Sequence, residues 1–370
     1  MNDKSKNKIF SIIIISIFIS NLIIINIKPI NSYSISERRT LAELPQFTSE
    51  NIGSGTYMKN YESYLLDQFP FRDSLRKIKA MNELYLFSKS DYNNLYFFNG
   101  HLCKIEYPLN EKMINYAISK FENIYTKYLK EKNITPYMVV IPDKNYYLAQ
   151  ENNYLSMDYN YFYEYVRNKA PFMNHIEIRD TLSVDDYYYT DPHWNQVKIL
   201  DTAQKIGKEM NMDLADKECY TLKTISNPFF GAYYHQYTLP VECDKISYLT
   251  NSIIEQCSVN IYDNNSSTQG VVYNLEKAQG SDPYEMFLEG SKDIIEINNP
   301  NSNNNKKLII FRDSFGSSIA PLFISSYSTI TLIDIRYINS NSIDEYVSFD
   351  NSDVLFLYNT TLLNNSITLK

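Results

Sequence analysis

The sequence predicts an α/β fold: a mainly parallel sheet with helices on both faces, preceded by an N-terminal transmembrane helix. Three observations carry this. The C-terminal part alternates strand (Lys307 to Phe311), helix (Ser317 to Ser326), strand (Thr329 to Ile335), helix (Ile343 to Phe349) and strand (Asp353 to Tyr358). That βαβαβ order implies parallel strands joined by helical crossovers. Further upstream, Pro136-Tyr-Met-Val-Val-Ile-Pro142 is a continuous apolar run, the pattern of a strand covered on both faces. At the start, Ile9 to Ile27 carries no charge and is about long enough to span a bilayer.

Lys4, Lys6 and Lys8 precede that run, which favours a cytoplasmic N-terminus and an exported remainder. No clear Ala-x-Ala cleavage site follows, so residues 1–28 read as an uncleaved signal anchor, with a cleaved signal peptide as the alternative. Residues 29–90 read as a stalk and a helical N-terminal segment. Residues 29–56 are irregular, Tyr57 to Phe69 is helical up to Pro70, and 71–88 is helical with a basic surface from Arg72, Arg76, Lys77 and Lys79. Residues 91–370 form the α/β domain. It opens with a strand at Tyr96-Phe-Phe98 and a hairpin turn at Asn99-Gly100. A long amphipathic helix follows from Glu111 to Lys132. Helix over 158–169, a short strand from His175 to Ile178 and helix from Trp194 to Met210 come next. Residues 219–306 give no clear pattern beyond a surface loop at Asn301 to Asn305.

The chain has 370 residues, 44% of them hydrophobic, enough for one large domain with or without an appendage. A formal charge of -8 argues against a nucleic-acid partner, since a phosphate backbone needs a basic face. The 34 tyrosines belong to a general bias toward Asn, Ile, Lys and Tyr, so tyrosine counts alone prove nothing. Cys103, Cys219, Cys243 and Cys257 fit no zinc signature; a disulfide among the last three and free thiols remain equal alternatives.

Two stretches carry chemistry. Tyr187-Tyr-Tyr-Thr-Asp-Pro-His-Trp-Asn195 sets Asp191 two residues before His193, one of four histidines, and next to the only tryptophan, Trp194. In an extended loop such a pair points the same way. Leu308-Ile-Ile-Phe-Arg-Asp-Ser-Phe-Gly316 is a strand ending in Ser314 just before a helix, where backbone N–H groups can hold an oxyanion. Asp191 orienting His193, and His193 deprotonating Ser314, is the equipment for acyl transfer. On position alone, Ser314 is as readily a helix cap, with Asp313 the better cap of the two. One Asp and one His are too few ligands for a metal, and no cofactor is expected.

Asp143 and Lys144 follow a strand and are expected on its carboxyl-end rim, as substrate contacts or as a solvated loop. Gly231 permits close backbone approach to an acyl group, or serves a turn. Tyr187 to Tyr189, Trp194, Tyr233 and Tyr234 could form a sugar platform, although core packing accounts for most of them. Asn359 is a candidate second oxyanion donor.

Together these stretches resemble the DHHW family of exported bacterial proteins, relatives of the alginate O-acetyltransferases in the SGNH-hydrolase superfamily. The matching motifs run in order: Glu37-Arg-Arg-Thr-Leu-Ala42, Gly55-Thr-Tyr57, Asp67-Gln-Phe-Pro-Phe-Arg-Asp73, Ile141-Pro-Asp-Lys144, Tyr189-Thr-Asp-Pro-His-Trp194, Phe230-Gly231, Tyr284 with Phe287-Leu288 and Gly290, and Arg312-Asp-Ser-Phe315. The resemblance implies a three-layer α/β/α domain with Ser314 as nucleophile, His193 as base and Asp191 orienting it. It implies action on acetyl groups of an extracellular polysaccharide, with the acetyl donor supplied by a membrane-bound O-acyltransferase partner. Lys144, Trp194, Arg312 and Tyr234 are then the expected substrate contacts. The sequence departs from the family pattern at Pro192, where a first histidine is usual, at Arg312, where lysine is usual, and at Glu289, where glycine is usual. The leading expectation is an anchored, extracytoplasmic O-acetyltransferase or acetylesterase. A non-catalytic glycan-binding scaffold is the alternative. A lipase-like esterase is disfavoured by the charge expected of Lys144 and Arg312 on the rim.

Overall fold

A computed structural model describes residues 3–34, 36–37, 39–263 and 266–370. Arg38, within the first motif, lies outside the described residues. The chain divides into two compact units, residues 1–92 with 235–240, and residues 93–234 with 241–370.

In the first unit α1 (Asp3–Ile27) carries the apolar run; its Ser5–Ile25 stretch is long and apolar enough to cross a membrane. A two-residue ladder, β1 (Tyr33–Ser34) with β2 (Arg39–Thr40), follows. Then come α2 (Ser49–Gly53), α3 (Thr56–Asp67) and α4 (Arg72–Met81), the last running into a π turn at Asn82–Leu86. Thr48 starts α2 by accepting the Asn51 N–H on its hydroxyl, 3.3 Å away.

The second unit is the α/β body. A hairpin of β3 (Leu95–Phe98) and β4 (His101–Lys104) precedes α5 (Glu111–Ile124). The chain continues through β5 (Tyr137–Ile141), α6 (Lys144–Leu148), α7 (Tyr159–Lys169), β6 (Asn174–Ile176) and α8 (Leu200–Glu209). The strands β7 (Thr221–Phe229) and β8 (Asp244–Thr250) form a separate antiparallel pair. The remaining strands are β9 (Ser258–Asp263), β10 (Ser266–Gly270), β11 (Ile294–Asn298), β12 (Lys307–Arg312), β13 (Thr329–Ile333) and β14 (Ser352–Asn359).

The main sheet has eight strands in the order β10-β9-β11-β13-β12-β14-β5-β6. β13, β12, β14, β5 and β6 are mutually parallel, and β11, β9 and β10 extend one edge antiparallel. Side chains alternate between two cores, as the two-residue period of a strand requires. Ile310 and Leu357 face one core with Leu200, Ala203 and Ile206 of α8; Phe311 and Phe356 face the other with Phe121 of α5 and Phe162 of α7. A sheet sealed on both faces is a three-layer α/β/α body, as expected, and it leaves ligands the strand ends.

Several expected helices are shorter than their patterns. The segment from Trp194 becomes α-helical only at Leu200, because Trp194 forms a bridge with Tyr187 and Asn195 caps a 3₁₀ turn. The helix after Ser314 is α only over Gly316–Ile319 and continues as 3₁₀ to Ser326, where Pro321 has no N–H to donate. Ser340–Glu345 is a 3₁₀ turn, earlier than the expected Ile343 to Phe349 helix. Residues 219–306, unread in the sequence, supply β7 to β11. All four cysteines are free thiols.

Candidate active site

Ser314 sits past the carboxyl end of β12. From Leu308 to Ile324 every residue is buried except Ser314. The turn that exposes it is built by Asp313. Its Oδ1 accepts the Phe315 N–H (3.0 Å), and its Oδ2 accepts the Asn359 N–H (2.7 Å) from the end of the neighbouring β14. The Gly316 N–H returns to the Asp313 carbonyl at 3.1 Å. A Cβ on Gly316 would lie 2.7 Å from Arg312 Cβ, so only glycine lets the chain fold back so tightly. Asp313 is thus a turn brace, and among the described residues no acceptor takes the Ser314 N–H. That donor is free to meet an oxyanion.

His193 comes from a tight loop. Tyr188 donates its N–H to the His193 carbonyl (3.0 Å), Asn195 donates to Asp186 (2.7 Å), and Leu102 of β4 donates to Tyr189 (2.8 Å). Pro192 lies at the turn of this loop. The carboxylate of Asp244 clamps it further, accepting the N–H groups of Tyr189 (2.7 Å) and Thr190 (2.8 Å) and the Thr190 hydroxyl (2.5 Å). The result is one connected line. Ser314 Oγ lies 2.7 Å from His193 Nε2, and His193 Nδ1 lies 2.5 Å from Asp191 Oδ1. A carboxylate only accepts, so Nδ1 carries the proton and Nε2 is left to accept from the serine.

Asp191 is held by two further donors, the N–H of His193 (3.1 Å) and of Ala232 (2.8 Å). Burial pushes its carboxyl up, but the His193 charge and these hydrogen bonds outweigh that and hold it below the ordinary aspartate range. Gly231 approaches closely, but to Asp191 and not to an acyl group. A Cβ there would stand 2.3 Å from Asp191 Cβ and 2.5 Å from the Thr190 carbonyl oxygen.

Three of the four expected substrate contacts are enclosed and offer a substrate no surface. Lys144 is 2% exposed, and its ammonium donates to the carbonyls of Tyr188 (2.9 Å) and Tyr189 (3.2 Å). Burial brings it down to about 8. It braces the Asp191/His193 loop from behind. Trp194 is wholly buried and donates to Ser318 Oγ at 2.8 Å. Arg312 is wholly buried, donating to the Gly290 carbonyl at 3.3 Å with Asp334 3.7 Å away. Asp143 is buried too, capping α6 through the Asn145 N–H (2.8 Å) and accepting the Tyr159 hydroxyl. Lys144 and Arg312 therefore place no charge on the rim, and the argument they offered against a lipase-like esterase falls. Tyr234, half-buried and packed on Phe230 at 4.5 Å, is the one expected contact left partly open. The Asn359 side-chain oxygen accepts the Leu362 N–H (2.7 Å) as a helix cap, while the Asn359 N–H is spent on Asp313.

No family model matches this sequence, and no curated protein does. Solved structures share its fold. A DHHW family protein from Eubacterium siraeum aligns with a TM-score of 0.57 and 20% identity, over 73% of this chain and 91% of that one. Bacillus cereus PatB1 aligns with a TM-score of 0.57 and 20% identity, over 73% and 96%. The same protein with a sulfonyl adduct gives 0.56, 20%, 73% and 95%. The motif resemblance to the DHHW family is thus matched by a shared fold.

The sequence reading missed Tyr284. Its ring stacks on the His193 imidazole, 3.8 Å between centroids and 8° from parallel, while its hydroxyl donates to Ser318 Oγ at 2.8 Å. Burial raises this hydroxyl well above the ordinary tyrosine range, so it stays a donor. Its place in a matching motif was the available signal. Asp244 and Thr190 had none, because their contacts are between residues 54 apart in the chain.

Proposed function

We propose that this chain is a membrane-anchored, extracytoplasmic O-acetyltransferase or acetylesterase of SGNH type, acting on a cell-surface or secreted polysaccharide. The observation that carries the reading is the 2.7 Å contact between Ser314 Oγ and an imidazole whose other nitrogen is held by Asp191. The layout read from the sequence supports it: an anchor over 1–28, a stalk and helical segment over 29–90 and the α/β domain over 91–370.

The chemistry runs in two halves. Ser314 Oγ attacks the carbonyl carbon of an acetyl donor as its proton passes to His193 Nε2. The tetrahedral oxyanion takes the hydrogen bond of the Ser314 N–H. Collapse expels the donor's leaving group, which takes the proton back from His193 and leaves an acetyl ester on Ser314. A glycan hydroxyl, or water, then attacks that ester while His193 removes its proton; collapse breaks the Ser314 Oγ–acyl bond, His193 returns the proton to Ser314, and the acetylated glycan, or acetate, is released. Asp191 stays ionised and stabilises the imidazolium. Tyr234 contacts the glycan, and a membrane-bound acyltransferase supplies the acetyl group.

Turnover of an activated acetyl ester by the full-length protein tests this. Ser314→Ala should lower kcat by roughly a thousandfold or more. Unchanged turnover would leave only a glycan-binding scaffold.

A further inference from the structure

The smaller unit presents an apolar stripe that none of that unit's described residues covers. Phe71, Leu75, Ile78, Met81 and Tyr85 recur at helical spacing along α4 and its π-turn extension. Their exposures run from 45% at Leu75 to 76% at Phe71. The opposite face of α4 is engaged: Arg76 lies 3.6 Å from Glu37, and Ala80 is fully buried. Phe71 also holds a left-handed backbone, φ 58°, which costs about 1 kcal/mol for a residue with a side chain. A strained residue whose ring stands in the open is a reason to look for a function there.

The start of this stripe is tied to the point where the chain leaves α1. Asn31, four residues past Ile27, donates its N–H to Gln68 Oε1 (3.3 Å) and accepts from Gln68 Nε2 (2.8 Å). Asp67, beside Gln68, takes the Arg39 guanidinium (2.8 Å) and the Ala42 N–H (2.8 Å), and Glu37 pairs with Arg72 at 2.5 Å. Lys28, Phe69 and Phe71 line one cavity of about 410 Å³. The three steps of chain from Lys28 to Asn31 span at most about 11 Å. If α1 spans a bilayer, the beginning of α4 stands at its surface. Lys77 and Lys79, both exposed, flank the stripe. Apolar residues flanked by lysines are the composition of a helix lying in a membrane interface.

We propose that the Phe71–Tyr85 stripe beds in the interfacial layer of the bilayer that α1 spans, as a second membrane contact beside the anchor. The inference rests on reading α1 as an uncleaved anchor, and its test separates the two.

The full-length protein is reconstituted into phosphatidylcholine vesicles containing a minority of phosphatidylglycerol, with acyl chains brominated near the headgroup. The natural Trp194 is buried in the α/β body and provides the unquenched background. Ile78→Trp and Phe71→Trp each add a reporter at an exposed position. A ring buried the roughly 5–10 Å of an interfacial helix should lose more than about half its added emission to the bromines. Flotation of the same samples reports the anchor. Protein that floats with the vesicles while both reporters stay unquenched overturns the interfacial stripe and leaves the anchor standing. Protein that does not float overturns both. Reporters shielded only in a crosslinkable dimer would give the stripe to a second copy, which also overturns the proposal.

Discussion

Gly231→Ala tests how tightly the site is held. Non-bonded carbons rest about 3.5–4.0 Å apart. The new Cβ would sit 2.3 Å from Asp191 Cβ and 2.6 Å from Asp191 Cα. Both are fixed close to backbone, so no flexible side chain can swing away. One segment must retreat by more than about 1 Å, at an overpacking cost of about 1–3 kcal/mol. That retreat pulls Asp191 Oδ2 from the Ala232 N–H and Thr190 Oγ1 from the Gly231 N–H, each 2.8 Å now. Displacing a positioned catalytic group by about 1 Å costs roughly a hundredfold in rate. The assay is kcat for an activated acetyl ester beside a thermal unfolding midpoint. Gly53→Ala serves as control, since its Cβ would meet nothing within 4 Å. A Gly231→Ala protein with wild-type kcat at a temperature where it is fully folded would refute the reasoning.

Three further outcomes are expected. Asp191→Asn preserves shape but stabilises the wrong imidazole tautomer, and kcat should fall roughly ten-thousandfold with little change in KM. Tyr284→Leu removes the stack on His193, worth about 0.5–1.5 kcal/mol, so kcat should fall about two- to tenfold, while Tyr284→Phe keeps the stack and most of the rate. Glu106 is 2% exposed, its Oε1 without a hydrogen-bond partner and 3.6 Å from Lys104 Nζ; burial and then the Asp143 charge push its carboxyl up to about 7. The folded state therefore keeps a proton that the unfolded chain releases near the ordinary glutamate value of about 4.3. Stability falls as pH rises from there to about 7, so Glu106→Gln should raise the unfolding midpoint at pH 8 and give no gain at pH 4. An equal shift at both values would refute this.

How legible the fold was depended on the range of its interactions. β12, β13 and β14 showed because each is a buried strand with a local apolar run, and the parallel order follows from the helices between them. The antiparallel edge, β9 to β11, did not, because its partners are polar-flanked strands whose pairing is set by neighbours such as Ile294 opposite Ile333. Ser314, His193 and Asp191 could be picked out because nucleophile, base and orienting group have distinctive residue types. Lys144 and Arg312 misled because charge suggests surface. Each is instead a buried cation donating to backbone carbonyls, with a carboxylate also 3.7 Å from Arg312, which no local pattern reveals. Gly231 was seen as a close approach, but its neighbour Asp191 lies 40 positions away and had to be found in space.

The central claim is that Ser314 carries the acetyl group between donor and acceptor. Mass analysis of peptides after a brief quench with an activated acetyl ester measures this directly. The account predicts an acetyl group on the peptide holding Ser314, lost in Ser314→Ala and strongly reduced in His193→Ala. Acetylation at another residue, or an unchanged adduct in Ser314→Ala, would contradict it.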